Sequence, residues 1–408
     1  MKLLILTQYF PPEVGAPQNR LFELALRLQK SGIDVTVLTA MPNYPAMEIH
    51  EAYRGKEYHY EEMSGLKVHR APIFVSKERS IVKRLRNYFS FVRSSYHIGK
   101  KHLGNFDFIL CESPPLFLGI SARKLCRALN AKLILNVSDL WPESAEKLGI
   151  VTNKFLLGRA YALEKKLYMN SVLITGQTQG IVRDIKTRFP DRKVYWLPNG
   201  VDPEYYDPNA DRKNWRERNG FKATDKLFFY GGIIGHAQGL EVILNAADRL
   251  RKKADVKFIL MGEGPVKNEL LKMKNEMKLD NIHFMPAVGK SEMPSVVGSM
   301  DAAVIPLKKL ELFKGAIPSK IFESLAMKKP IILGVEGEAK ELFIDEGKCG
   351  MFFEPENADD LAAVVEQFCG DEKLREEMGE NARAYVVKKF SRDNIAVGLI
   401  EELKKISI

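Results

Sequence analysis

Short apolar runs alternate with stretches of helical periodicity along the whole chain. In the first half, residues 2–9, 34–40, 106–111, 131–137 and 171–175 predict strands, while 20–31, 116–129 and 156–169 carry apolar residues at helical spacing. Runs that are apolar on both faces and are joined by helices predict a parallel, doubly wound sheet. The second half repeats the pattern. Strands are predicted at 227–230, 256–261, 282–285, 302–305, 331–333 and 350–353, and helices at 239–252, 265–277, 291–298, 320–326, 358–369 and 371–388. The joint falls at Leu197-Pro198-Asn199-Gly200-Val201-Asp202, where a strand stops at a Pro/Asn-Gly turn. The predicted organisation is a domain over 1–198, a second over 199–388, and a last segment, 389–408, whose helix at 393–405 could pack on either. Ligands of open α/β sheets bind beyond the carboxyl ends of the strands, so two such sheets facing each other predict a cleft lined by both sets of loops.

Composition narrows the class. The 408 residues are 45% hydrophobic and 28% charged, which excludes disordered and fibrous chains. No run approaches a membrane span, and the first apolar stretch is too short for a signal peptide and lacks a small-residue cleavage site. Cys111, Cys126, Cys349 and Cys369 are scattered without metal spacing and read as reduced thiols. A cytoplasmic protein is expected. The net charge of +10 is uneven. Between Lys77 and Lys101, the cations Lys77, Arg79, Lys83, Arg84, Arg86, Arg93, Lys100 and Lys101 face Glu78 alone, with Ile81, Val82, Leu85, Tyr88, Phe89, Phe91 and Val92 interleaved. This basic amphipathic segment fits the headgroup region of an anionic bilayer. A solvated face of a core helix competes with that reading, and nucleic-acid binding is disfavoured because no nucleic-acid fold signature accompanies the charge.

Candidate chemistry clusters where strands give way to helices. The stretch Gly315 to Ile332, GAIPSKIFESLAMKKPII, leads through Pro318-Ser319-Lys320 into a helix with Glu323 in its first turns. Helix-start amides plus the Lys320 cation would form a diphosphate cradle, with Glu323 accepting from ribose hydroxyls. A capped helix with a solvated Lys320 is the plain alternative. Gly231-Gly232-Ile233-Ile234-Gly235-His236-Ala237-Gln238-Gly239 follows a strand and precedes a helix, where His236 either donates to a phosphate or caps the turn. Met261-Gly262-Glu263-Gly264-Pro265 either flanks a base or makes a tight turn. In the first half, Gly15 and Ala16 precede a helix start, and Arg20 is either a phosphate ligand or, slightly favoured, an ordinary surface cation. Asp139 and Trp141 in Ser138-Asp139-Leu140-Trp141-Pro142 would orient a hydroxyl acceptor or stack on a sugar, unless Asp139 caps the next segment. Glu112-Ser113-Pro114-Pro115 carries less information. No dinucleotide fingerprint, P-loop, Ser/His/Asp set or metal box occurs, which weakens hydrolase and metalloenzyme readings.

Taken in order, the YFPPEVGAPQNR loop, SDLWPES, LPNGVD, GGIIGHAQGLE, MGEGP and PSKIFESLAMKKPII resemble the retaining family-4 glycosyltransferases of the GT-B fold over nearly the whole chain. Bacterial O-antigen, capsule and exopolysaccharide transferases of the fucosamine-transferase type are the nearest in pattern. The resemblance implies two Rossmann-like domains, a donor held mainly by the second, a final helix crossing back to the first, and no obligatory metal. It places Glu323 at the ribose, Ser319 and Lys320 at the diphosphate, and Gly15 in a glycine loop near diphosphate and acceptor. Two positions depart from the family. The first carboxylate of its E-x7-E motif falls on Gly315, with Glu311 as a candidate substitute, and its Arg and Lys after the 227–230 strand fall on Ile233 and Gln238.

The expected activity is retaining transfer of an N-acetylated or 6-deoxy amino sugar from a UDP-type donor to a lipid-linked or oligosaccharide acceptor, by a monomer or weak oligomer peripheral to the inner membrane face. Lys320, His236 and Asp139 are the expected catalytic residues, with Gly15, Gly235, Gly262, Glu263, Ser319 and Glu323 at the donor, and Arg20, Trp141 and Asn199 at the acceptor side and hinge. No cofactor or metal is expected. The rivals are a nucleotide-sugar 2-epimerase, whose acid/base residues are sparse here, a non-catalytic nucleotide-sugar binder, and a two-lobed solute-binding protein, which would normally carry an export signal.

Overall fold

The computed structural model describes residues 1–13, 15–78, 80–147, 149, 151–210 and 215–407. Val14 of the first glycine loop and Arg79 of the basic run lie outside the described residues. The chain forms two compact units, Met1–Asn199 with Arg392–Ile408, and Gly200–Ser391.

The first unit is an eight-stranded sheet. Its strands are β1 (Lys2–Leu6), β2 (Asp34–Ala40), β3 (His59–Met63), β4 (Leu66–Ala71), β5 (Phe108–Ser113), β6 (Lys132–Val137), β7 (Ser171–Gly176) and β8 (Val194–Trp196), in the order β3-β4-β2-β1-β5-β6-β7-β8. Side chains alternate across each strand, so one chain segment feeds two cores. Leu4 and Leu6 join Ile109, Leu135 and Ile174 on one face, while Leu3 and Ile5 join Val35, Leu110 and Leu173 on the other. Helices Ile81–His102 and Leu118–Ala128 supply Phe91, Ala122 and Leu125 to the first face. Helices Ala16–Lys30 and Arg392–Ser407 supply Leu21, Leu28, Leu399 and Leu403 to the second.

Every neighbouring pair in this sheet is parallel except β3–β4, which corrects the expectation of an all-parallel sheet. That hairpin turns on Ser64 and Gly65, both at positive φ, the geometry of a two-residue hairpin loop. Its outer strand, HYEEM, has no apolar run because it lies at the sheet edge, so hydrophobic periodicity passes over it. Helix Ala16–Lys30 also begins four residues earlier than its apolar periodicity indicates, with Pro17 in the first turn. Helix Gln179–Arg188, capped by the Thr178 hydroxyl on the Ile181 amide, escaped the periodic reading altogether.

The second unit is an all-parallel six-stranded sheet of β9 (Lys226–Gly231), β10 (Val256–Met261), β11 (Ile282–Met285), β12 (Ala302–Pro306), β13 (Ile331–Gly334) and β14 (Gly350–Phe352), ordered β11-β10-β9-β12-β13-β14. Phe228, Phe258, Leu260 and Val304 pack with Leu244, Leu361, Val365 and Phe368 of the covering helices. Among the described residues no helix is long and apolar enough to cross a membrane. The four cysteines are free thiols.

The last helix is held in the first unit by contacts of two kinds. Leu399 and Leu403 are fully buried against the sheet, and Arg27–Asp393 (2.9 Å) and Lys193–Glu402 (3.0 Å) pair at its edges. Leu399→Ala should therefore cost about 2–5 kcal/mol, the usual range for emptying a packed aliphatic site. A urea titration followed by circular dichroism checks it, and a loss under about 0.5 kcal/mol would show that this helix is not part of the core.

Candidate functional site

In the second unit, β9 ends at a loop that must stay thin. Gly232 has φ 136° and Gly262, at the end of β10, has φ 146°. A Cβ on Gly262 would run into the Gly232 carbonyl, and one on Gly264 into the Ile234 carbonyl. The two loops are laced by Gly232 N–H to Met261 O (2.9 Å) and Ile234 N–H to Glu263 O (2.9 Å). Glycine at 262 and 264 is thus required for loop-on-loop packing, a physical reason that needs no ligand. The Glu263 carboxylate turns outward and pairs with Lys267 at 2.6 Å.

Lys320 lies beside this platform. Its ammonium sits 3.6 Å from the centre of the Tyr230 ring and close to the open side of Gly232, where a Cβ would approach it to 3.1 Å. The Tyr230 hydroxyl donates to Ile233 O at 2.6 Å, which fixes the ring and the loop together. The ammonium makes no ion pair among the described residues. Its poorly solvated seat disfavours the charged form and pulls its pKa down to about 7, partly countered by Glu323. A lysine held on an aromatic face with its charged form disfavoured is a candidate functional group.

The helix start contributes less than its sequence promised. Helix Lys320–Ala326 opens in a tightened turn in which Ile321 N–H bonds Pro318 O (3.1 Å) and Phe322 N–H bonds Ser319 O (3.2 Å). Those two amides are spent internally. Ser319 is half-buried and its side chain caps nothing. Glu323, half-buried, lies in the first turn near Lys320. Gly315 ends a short 3₁₀ turn, Glu311–Gly315, and a Cβ there would meet nothing within 4 Å. Glu311, the candidate substitute, is exposed and pairs with Lys314 at 2.7 Å. Gly235 is buried at the start of the 3₁₀ turn His236–Gln238, and His236 is exposed. The structure brings Lys320, Glu323 and the Gly232–Gly262 platform together. It leaves the Glu263 carboxylate and Glu311 engaged elsewhere.

In the first unit a buried polar cluster lies at the carboxyl ends of β5, β6 and β7. The Glu112 carboxylate accepts from Arg20 at 2.6 Å and also from Asn136 and Ser138, while Asn136 accepts from Thr175 at 2.6 Å. Arg20 also donates to Ser138 at 2.7 Å. Arg20 is buried, which corrects its reading as an ordinary surface cation. Its charge is consumed by Glu112, a residue that the sequence undervalued because its partner stands 92 positions away. The cluster anchors Ser138 and so the loop carrying Asp139. Asp139 is exposed and accepts from the Ser144 hydroxyl at 2.8 Å, while Trp141 stands edge-on to Phe117 at 5.3 Å. Gly15 precedes helix Ala16–Lys30 in extended backbone, and a Cβ there would press on the buried amide oxygen of Gln18. Asn199 is buried at the end of the unit.

Asp139 and Trp141 line a cavity of about 890 Å³ contained in this unit. Tyr9, Tyr88 and Phe117 supply aromatic wall, and Ile81, Lys83 and Arg84, at the start of the basic helix, complete it. Two sets of residues that the sequence treated separately, the Asp139 loop and the basic segment, thus meet at one space.

Comparison with known proteins gives consistent findings. Residues 18–205 match the model of Glycosyltransferase Family 4, and residues 211–385 that of glycosyl transferases group 1. The putative colanic acid biosynthesis glycosyl transferase WcaI of Escherichia coli K12 is 26% identical over 417 residues, covering 99% of this chain and all of its own. The sucrose-phosphate synthase of Thermosynechococcus elongatus superposes with a TM-score of 0.77 at 14% identity, over 99% of this chain and 98% of its own. Anabaena HepE in complex with UDP and glucose superposes with a TM-score of 0.71 at 15% identity, over 99% of this chain and 100% of its own.

The seat of Lys320 predicts a pH-dependent stability. A lysine whose folded pKa is lowered to about 7 carries a penalty that is complete below that pH and fades as pH climbs to the unfolded value of 10.5. Lys320→Met should therefore raise the melting temperature most at pH 6–7, and the gain should shrink toward pH 10. Differential scanning calorimetry across that range decides it, and a gain that is flat with pH would contradict the desolvated seat.

Proposed function

We propose that this chain, a glycosyltransferase of the GT-B fold with a Glycosyltransferase Family 4 domain in its first half and a group 1 domain in its second, transfers a sugar from a UDP-linked donor to a lipid-linked glycan in the building of a bacterial surface polysaccharide. Lys320 carries the donor half of this reading: a poorly solvated lysine on an aromatic ring, making no ion pair among the described residues, beside a loop of bare backbone. A diphosphate there would restore the charge that burial suppresses. The colanic acid name of WcaI supports the polysaccharide setting, and HepE with UDP and glucose supports the choice of base.

In the proposed reaction the bond between the sugar C1 and the β-phosphate oxygen breaks, and the acceptor oxygen bonds to C1 on the same face. Negative charge grows on the leaving β-phosphate, and Lys320 offsets it, with His236 as a second donor. The acceptor proton passes to the departing phosphate, so that UDP and the extended glycan leave with configuration retained. Asp139 orients the acceptor hydroxyl and Trp141 packs on its sugar ring, both at the wall of the first unit's cavity. Glu323 accepts from the ribose hydroxyls. No metal enters this scheme. The donor sugar we favour is an N-acetylated or 6-deoxy amino sugar, because Gly315 presents no carboxylate to sugar hydroxyls.

We extend the reading to a membrane-facing acceptor. Helix Ile81–His102 begins with Ile81 and Val82, 58% and 72% exposed, beside Lys83, Arg84 and Arg86, the pattern of a helix that dips into an anionic headgroup layer.

Lys320→Ala should lower turnover with the true donor by about 10²–10³, the cost of removing one preorganised donor from a developing oxyanion. It should also abolish the melting-temperature rise caused by UDP while the unliganded protein stays folded. Wild-type kinetics in this variant would remove Lys320 from the mechanism. A panel of UDP-, GDP-, TDP- and ADP-sugars in the same thermal-shift format tests the base, since a ligand that binds only the native state stabilises it.

A further inference from the structure

We propose that the outward face of helix Lys154–Asn170 is a second docking surface, fitted to an anionic lipid bilayer; the proposal rests on the membrane-facing reading of helix Ile81–His102 and extends it to an element that reading leaves out. The helix has a buried half and an exposed half. Leu157, Ala160, Glu164, Leu167 and Tyr168 face the core. Phe155, Arg159, Ala162, Lys166 and Met169 recur at intervals of three and four along the opposite side, a stripe about 20 Å long at the helical rise. Phe155 is 72% exposed and Leu156 and Met169 are each 50% exposed, a concentration of bulky apolar surface that a helix facing only water would not carry.

Charge identifies the occupant. Lys154, Arg159, Lys165 and Lys166 are all exposed, and none pairs with a carboxylate among the described residues. The helix's one acidic residue, Glu164, is turned inward and held by both guanidinium nitrogens of Arg188 at 2.8 and 2.9 Å. Apolar tips amid unopposed cations match a bilayer with anionic headgroups, which receives the rings below the phosphate plane and the cations at it. Exposed Gly158, where a Cβ would meet nothing, leaves the backbone open to close approach near the start of the face. Position agrees as well. Val151, three residues before the helix, and Ile81, at the start of the other basic helix, line the same cavity, so both helix starts lie close to it. A bilayer touching both would lie where a lipid-borne acceptor enters.

The test is co-sedimentation of the full chain with phosphatidylcholine vesicles, with and without phosphatidylglycerol. Wild type should sediment with the anionic vesicles only. Phe155→Ser with Leu156→Ser, and separately Arg159→Glu with Lys165→Glu and Lys166→Glu, should each weaken partitioning by about tenfold or more. Both variants should keep the wild-type melting temperature, because the altered side chains face outward. Variants that sediment like wild type overturn the proposal, and release by Lys83→Glu with Arg84→Glu and Arg86→Glu would then leave the other helix as the sole anchor. Equal binding to neutral vesicles, or binding to poly-glutamate and to no vesicle, also overturns it. A wild type that sediments as expected but transfers no sugar refutes the proposed activity and leaves the docking surface standing.

Discussion

Parallel strands joined by helices must be covered on both faces, and this requirement organises both units. Leu3 and Ile5 feed one core while Leu4 and Leu6 feed the other, so the strand segment is useless unless helices close over each side. In the first unit the second face is completed only when residues 392–407 return with Leu399 and Leu403. The same arrangement leaves the carboxyl ends of the strands as the one edge where backbone and polar side chains are not claimed by the sheet. The Glu112–Asn136–Thr175 cluster and the Gly232 and Gly262 loops stand on that edge.

Two cations on such edges, Arg20 buried and Lys320 half-buried, have opposite fates, and the contrast separates architecture from chemistry. Arg20 is matched by Glu112 at 2.6 Å and by Ser138, so its charge is satisfied and its work is to fix loops. Removing Glu112 would strand a guanidinium, which typically costs several kcal/mol. Lys320 has an aromatic ring and a depressed pKa in place of a carboxylate. Folding tolerates that penalty, which Glu323 offsets only in part.

Much of this was legible from the residues alone. Apolar strands and periodic helices announced the two-sheet α/β plan, and the glycine-led segment before Lys320 pointed to the region where an unpaired cation sits. What escaped notice depended on tertiary neighbours. The edge strand β3 lacks an apolar run, so only its Ser64-Gly65 turn betrays it. The glycines of Gly262-Glu263-Gly264 left a base-flanking loop and a tight turn open, because composition cannot show that another loop approaches their backbone. The amides of Ile321 and Phe322 looked available because tightening of a first turn depends on local geometry that the sequence does not state. Glu112 was invisible as a partner of Arg20 for want of the fold that joins them.

The outer surface of the first unit follows the same reasoning in reverse. A soluble surface normally intersperses charges of both signs, and in helix Lys154–Asn170 the acid that would do so is used inside, against Arg188. Turning Glu164 inward against Arg188 leaves the outer face of the helix without an acidic residue of its own. The exposed apolar tips at Phe155 and Leu156 then stand beside Lys154 and Arg159, with Arg159 over the Phe155 ring. Neither feature contributes to the fold, since the sheet is already covered by the helix's other side. Surface chemistry that the core does not require, repeated at two helix starts close to one cavity, is what the proposed docking to an anionic bilayer rests on.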